Sequence, residues 1–92
     1  MSERPVYRFH TDPAHGWLEV PLGEVERLAV EVSACSYVSP DRATVYLEED
    51  CDASAFFKAA CRGLPLDVVP FEVEMIEHRS DAPCRSFRHY TR

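Results

Sequence analysis

"VYRFHTDPAHGWLEV", residues 6–20, predicts a β-hairpin and therefore an antiparallel sheet. Apolar and polar residues alternate in both arms, as they do in strands that bury one face. The residues between the arms have turn chemistry: Asp12 can bond the backbone ahead of it, Pro13 fixes φ, and Gly16 accepts a positive φ. We expect Trp17 to anchor this hairpin in the core.

A helix and a second hairpin are predicted next along the chain. Pro21 suits the first turn of a helix, and apolar residues then recur at helical spacing over about 21–31. Residues 34–38 and 43–49 read as two strands joined by the Ser-Pro-Asp turn at 39–42. A mostly antiparallel sheet follows from the two hairpins.

The second half of the chain predicts a longer helix and one or two further strands. Asp52 is the predicted N-cap, and Gly63 the predicted stop. Residues 71–78 alternate with period two, and 85–90 can add a short last strand. The fold class is α+β, with element order β-β-α-β-β-α-β(-β), four to six strands and both helices on one face.

Length and hydropathy indicate one domain over residues 1–92, with 1–4 and 91–92 frayed. No run of about 18 apolar residues occurs, and the start MSERPVYRF lacks a signal-peptide core, which predicts a cytoplasmic protein without membrane contact. A monomer or a homodimer is expected.

Charge is distributed unevenly along the chain, whose formal net charge is −6. Residues 1–78 hold 15 acidic and 6 basic side chains, whereas residues 79–92 hold four arginines and one aspartate. An acidic body repels nucleic acid and is attracted to basic surfaces, including those that bind phosphates. We therefore expect no direct contact with nucleic acid.

The acidic run, residues 48–52, places four carboxylates at a predicted helix N-terminus. Capping and the helix dipole account for one or two of them. The surplus predicts an acidic surface that imitates phosphates, joined by carboxylates from the first helix and the later strand. The predicted partner-binding residues are Glu24, Glu26, Glu48, Glu49, Asp50, Asp52, Glu72 and Glu74, with Trp17 as an apolar contact.

Three hairpin residues, His10, Asp12 and His15, form an alternative candidate site for a metal. Imidazole and carboxylate suit zinc, iron or manganese, and the acidic run can supply a further ligand. The simpler interpretation is a turn ordered by Asp12 with solvated histidines. No nucleophile motif or Gly-rich phosphate loop is present, so neither an enzyme nor a cofactor is predicted.

The cysteines and the C-terminal arginines carry weaker signals. The four cysteines form no C-x-x-C pair, which predicts reduced thiols, and Cys51 beside the carboxylates should be unreactive. Arginines at 79, 85, 88 and 92 suggest either a small cationic patch or a charged edge strand.

Two stretches together resemble a family of small bacterial and phage proteins: "YRFHTDPAHGWLEVPL" at 7–22 and "TVYLEEDCDASAFFKAA" at 44–60. The resemblance implies a phage or mobile-element context and assigns no catalytic residue. Small acidic proteins of that context are similar in general character to anti-CRISPR inhibitors, several of which are DNA mimics.

The function expected from these signals is non-enzymatic binding to a basic, nucleic-acid-binding surface of a larger bacterial complex. A CRISPR effector is the leading candidate partner, and the protein would inhibit it as a DNA mimic. The alternatives are a small metal- or ligand-binding domain using the three hairpin residues, and an accessory regulatory domain.

Overall fold

The computed structural model describes residues 4–65 and 67–91. It is an α+β fold, as predicted. The elements are β1 (Val6–Thr11), β2 (Gly16–Pro21), α1 (Leu22–Arg27), β3 (Tyr37–Val38), β4 (Thr44–Glu48), α2 (Asp52–Cys61), β5 (Glu72–Glu77), a 3₁₀ helix (Pro83–Ser86) and β6 (Arg88–His89). Of the predicted frayed ends, residues 1–3 and 92 lie outside the described residues.

The strands form one mixed sheet in the order β5-β1-β2-β4-β3-β6. Both predicted hairpins are present: Phe9 pairs with Leu18 across the first, and Tyr37 with Tyr46 across the second. β5 alone pairs in parallel, with β1, among the described strands. The sheet is therefore mostly antiparallel, and the parallel edge arises because the chain returns from α2 to the outside of β1.

Both helices cover the same face of the sheet, as predicted. Val25 from α1 and Phe56 from α2 belong to one cluster with the strand side chains that alternate onto this face. The strand members of the cluster are Tyr7, Leu18, Val20, Val38, Val45 and Leu47. Burying side chains of this size stabilises the fold by roughly 1.5–3 kcal/mol each.

Trp17 points to the opposite face, because neighbouring residues of a strand alternate between faces. It is 2% exposed and packs with Ala82 and Cys84, which lie between β5 and β6. β5 and β6 occupy opposite edges of the sheet, so the segment 78–87 has to cross this second face. Trp17 is thus the centre of a second small core, which we call the Trp17 face.

Helix α1 is shorter than the predicted 21–31. It ends at Arg27, and Ala29 adopts a left-handed φ of 55°. Pro21 ends β2 and precedes the helix. The apolar residues Val30 and Val32 pack against the helix-side core from irregular chain, whereas Ala29, which helical spacing placed on the apolar face, is exposed.

Two predicted strands are also shorter than expected. In the first, residues 34–36 are not extended, because Ser36 N–H turns back to the Ser33 carbonyl at 3.3 Å. Near the C-terminus, the prediction of a strand over 85–90 is wrong for its first residues, where Pro83 begins the 3₁₀ helix. β6 retains two residues, paired with β3.

Gly16 is required for lack of space rather than for a positive φ, contrary to the turn prediction. It is the first residue of β2, and its φ is not in the left-handed region. A Cβ here would lie 2.6 and 2.8 Å from ring carbons of Phe9, closer than van der Waals contact allows.

We expect Gly16→Ala to destabilise the protein by about 1–3 kcal/mol, because the Phe9 ring has to shift within a packed face. Gly23→Ala is the matched control: nothing lies within 4 Å of its added Cβ, and alanine favours helix α1 by about 0.5–1 kcal/mol. Urea unfolding measures both. Equal stability of the two variants would show that Gly16 is not sterically confined.

Candidate functional site

Asp12 in the β1–β2 loop holds the hairpin to the C-terminal segment. Its carboxylate accepts backbone N–H bonds from Ala14 and His15, both at 2.9 Å, which is the predicted turn chemistry. It also accepts the Ala82 N–H at 3.0 Å and the Arg85 Nε–H at 2.6 Å. The side chain of Asp12 is 0% exposed, so all of its charge is balanced by protein donors.

The Arg85 guanidinium has two roles in this contact. It holds the pKa of Asp12 well below its usual range, and the backbone amides act in the same direction. The guanidinium carbon also lies 5.1 Å from the centre of the Trp17 ring, within cation–π distance. Arg85, which the sequence analysis assigned either to a cationic patch or to a charged edge strand, is therefore the ion-pair partner of Asp12.

The three hairpin residues predicted as metal ligands do not form one site. Asp12 is fully engaged with Arg85 and backbone amides. His10 faces elsewhere: its Nε2 lies 2.7 Å from Glu19 Oε1, and its Nδ1 lies 3.0 Å from His78 Nε2. His15 remains, with its side chain half exposed. The prediction of this metal site is wrong because the His10 side chain contacts Glu19 and His78, whereas the His15 side chain lies at the end of the β1–β2 loop near Glu48.

His15 does approach the acidic run, which the sequence analysis named as the source of a further metal ligand. Its Nδ1 lies 3.5 Å from Glu48 Oε2, and Asp50 completes a group whose ligand atoms all lie within 4.8 Å of one another. Within 4–65 and 67–91 this is the one such group of three. It lies where the β1–β2 loop meets the turn between β4 and α2.

Cys51 is next to this group. The Cys35 thiol and the Glu48 carboxylate both act on its ionisation. The contact with Cys35, partial desolvation and the charge of Glu48 raise the pKa of Cys51 to about 11. The shift has the direction predicted for an unreactive thiol, but its first cause is Cys35, which the sequence did not place nearby.

The prediction that Asp52 is the N-cap of α2 is wrong. Cys51 occupies that position, and the Asp52 carboxylate turns away to the loop at 33–36. It accepts hydrogen bonds from Ser33 N–H at 3.1 Å, from Ser33 Oγ at 2.9 Å and from Ser36 Oγ. Asp52 is 5% exposed, so its function here is to fix irregular chain in place.

Arginines neutralise three of the predicted partner-binding carboxylates. Glu24 pairs with Arg27 at 2.8 Å, Glu72 with Arg4 at 3.3 Å and Glu74 with Arg8 at 3.4 Å. These pairs are exposed and contribute little to stability. They do reduce the local negative charge of α1 and of the β5 edge.

The remaining predicted contacts divide into buried and free groups. Three are buried: Trp17, Glu48 and Asp52. A partner cannot reach the Trp17 indole in this fold, so the prediction of Trp17 as an apolar contact is wrong. Among the described residues, Glu26, Glu49 and Asp50 are exposed and make no ion pair with arginine or lysine.

The predicted acidic residues also do not share one face. α1 follows Pro21, which pairs with Thr44 at the start of β4, whereas the acidic run follows its end. Glu72 and Glu74 lie on the edge strand β5. Glu49 and Asp50 are therefore the one adjacent pair of free carboxylates among the predicted contacts.

No protein-family model matches the chain, and searches of curated proteins and of solved structures return no match. The resemblance to small bacterial and phage proteins stays a prediction. In the part of the chain that the structure describes, no helix has the length and apolar character needed to cross a membrane.

Asp12→Ala should destabilise the protein by about 2–4 kcal/mol at pH 7, because it leaves Arg85 and two loop amides without their acceptor. Since the pKa of Asp12 is lowered in the folded state, its stabilisation is fully present above the unfolded pKa of about 4 and is lost as pH falls below it. The difference between wild type and Asp12→Ala should therefore shrink in acid.

Urea unfolding at pH 7 and at successively lower pH measures this difference. Asp81→Asn is the control, since Asp81 is 85% exposed and lies 3.9 Å from the same guanidinium. It should change stability by less than about 0.5 kcal/mol. An Asp12→Ala difference that is constant with pH would rule out an ionised Asp12 as its source.

Proposed function

We propose that the protein acts by binding rather than by catalysis, and that it binds a basic surface of a larger bacterial complex. The contact surface we propose is the turn between β4 and α2, with Glu49 and Asp50 as the charged contacts. The observation that carries the proposal is that these adjacent carboxylates are exposed and that no arginine or lysine of the described part of the chain pairs with them.

Local backbone order supports this choice of surface. Glu49 N–H donates to the Gly16 carbonyl at 3.0 Å, and Asp50 N–H donates to the Glu48 carboxylate at 2.8 Å. The turn is thus held by β2 and by its own side chain. Carboxylates on an ordered backbone lose less conformational entropy on binding than those on mobile chain.

The proposed partner surface is one that otherwise holds nucleic-acid phosphates. Carboxylates form charge-assisted hydrogen bonds with the same lysine and arginine side chains that bind phosphate oxygens. The excess of 16 acidic over 10 basic residues adds long-range attraction to such a surface. Two free carboxylates imitate a short phosphate segment, so the proposed contact is smaller than the nine-residue surface expected from the sequence.

A CRISPR effector ribonucleoprotein is the partner that we propose to test first. Its guide–target duplex lies in a positively charged channel, which is the kind of surface that two adjacent carboxylates can occupy. In that form the protein inhibits the effector as a DNA mimic encoded by a phage or mobile element. A regulatory accessory of another bacterial complex uses the same chemistry.

We expect the tagged protein to retain purified effector complex at about 0.05 M salt and to lose most of it at about 0.3 M, because salt screens exposed charges. Target DNA should compete for the same surface. The double variant Glu49→Lys/Asp50→Lys should weaken binding by at least about tenfold, measured by surface plasmon resonance.

The control variant is Glu26→Lys/Glu31→Lys, which changes net charge equally at two exposed positions. It should retain most of the affinity. Equal losses in the two variants would point to total charge instead of the proposed turn, and a loss confined to the control would place the contact on α1 and the chain that follows it. If the folded wild-type protein binds no effector at low salt, the CRISPR proposal is wrong.

A further inference from the structure

We propose that His15, Glu48 and Asp50 form a binding site for one Zn²⁺ ion. The site joins the β1–β2 loop to the end of β4, and it is distinct from the His10–Asp12–His15 set expected from the sequence. It goes beyond the proposed partner binding, because it requires neither a partner nor Glu49.

An unbalanced negative charge is the first argument for a cation here. Glu48 is 8% exposed, and its carboxylate lies within 4.8 Å of the carboxylate of Asp50. Within residues 4–65 and 67–91, neither group has an arginine or lysine partner, and His15 is the nearest group that can carry positive charge. A buried carboxylate is costly unless it is paired or coordinates a metal, so a divalent cation stabilises this group.

The buried ligand is already oriented for coordination. Glu48 Oε1 accepts the Asp50 N–H at 2.8 Å, which fixes the carboxylate and leaves Oε2 directed toward His15, 3.5 Å away. A ligand held by a second hydrogen bond of this kind binds metal more tightly than a mobile one.

The imidazole is positioned through its backbone. His15 N–H donates to Asp12 Oδ1 at 2.9 Å, and Asp12 is itself fixed by Arg85. The His15 and Trp17 rings meet in a T-shaped arrangement, with centroids 6.0 Å apart. The three ligands therefore come from two segments whose relative position the fold determines.

The donor set favours zinc over a harder ion. One imidazole nitrogen and two carboxylate oxygens are ligands that Zn²⁺ accepts, and three protein ligands leave a fourth position for water. Tetrahedral donors around zinc lie roughly 3.3 Å apart, so the ligand atoms have to move closer than 4.8 Å. His15 and Asp50 are exposed and can do so by side-chain rotation, while Glu48 stays in place.

Zinc binding is measured by competition with a chromophoric chelator, using the full chain and Zn²⁺ alone. Wild type should bind one Zn²⁺ per chain. His15→Ala and Asp50→Ala should each weaken binding by at least about tenfold, whereas the neighbouring control Glu49→Ala should retain it. Glu48 is left unchanged because its buried side chain also supports the fold.

The adjacent thiols require a second control. Cys35 and Cys51 are free and exposed, and thiolates bind zinc well. Zinc affinity should persist in Cys35→Ser/Cys51→Ser. If it is lost there and kept in His15→Ala, the ion binds the cysteines and the proposed site is wrong. Absence of zinc binding by folded wild type also overturns the proposal.

Thermal unfolding gives an independent measurement. Zn²⁺ at about 100 times the wild-type dissociation constant should raise the unfolding midpoint of wild type by roughly 10 °C or more, and that of His15→Ala by about half as much or less. Glu49→Lys separates this proposal from partner binding: it should weaken the partner complex and preserve the zinc-dependent rise. A rise of equal size in His15→Ala would contradict the assignment.

Discussion

The ion pair between the buried Asp12 carboxylate and the partly exposed Arg85 is the contact on which the Trp17 face depends. β5 and β6 are at opposite edges of the sheet, and the chain between them crosses its full width with one short 3₁₀ helix. Asp12 accepts a backbone N–H and the guanidinium of that crossing segment, and Arg85 lies over Trp17. Because a desolvated carboxylate is stable only with its donors in place, loop, segment and indole are fixed together.

The same loop also determines what the outside of the molecule presents. Asp12 points inward, whereas the His15 side chain points to Glu48 at the end of β4. At the end of the loop, the buried Asp12 therefore fixes the backbone of His15, and the exposed His15 imidazole lies beside the carboxylates of Glu48 and Asp50. Both proposals concern this end of the sheet and share Asp50. They differ in the other side chains that they use: Glu49 contacts a partner surface, whereas His15 and Glu48 contact a metal.

An acidic composition did not produce one acidic surface. Arg4, Arg8 and Arg27 each reach a carboxylate close to them in the fold, and Asp52 is used to fix the loop at 33–36. The net charge includes these groups on the same footing as Glu49 and Asp50. A partner protein, however, finds the former already paired within the fold and the latter unpaired. The sequence contains the charges but not the pairings, since two of the three arginine–glutamate pairs join residues more than 60 positions apart.

Local patterns were sufficient for the class of fold, both hairpins and the existence of both helices. Alternation in residues 6–20 and helical spacing after Asp52 act over a few residues, so the sequence by itself determined these elements and the faces that β1 and β4 turn to the core. On β5 the alternation was misleading, because Val73 and Met75 are exposed. It also identified Asp12 as the residue that orders the turn. The length of α1 was wrong because tertiary contacts let Val30 and Val32 pack without helical structure.

Only the tertiary structure decided the parallel edge, the crossing segment and the composition of the candidate site. Trp17 and Leu18 are adjacent apolar residues that face opposite sides of the sheet. Nothing in the local sequence indicates that the helices cover Leu18 and that the segment with Ala82 and Cys84 covers Trp17. Arg85 reaches Asp12 across 73 positions, and Glu48 reaches His15 only because β2 pairs with β4 in one register. Such contacts depend on chain paths between distant elements, which spacing along the sequence does not encode.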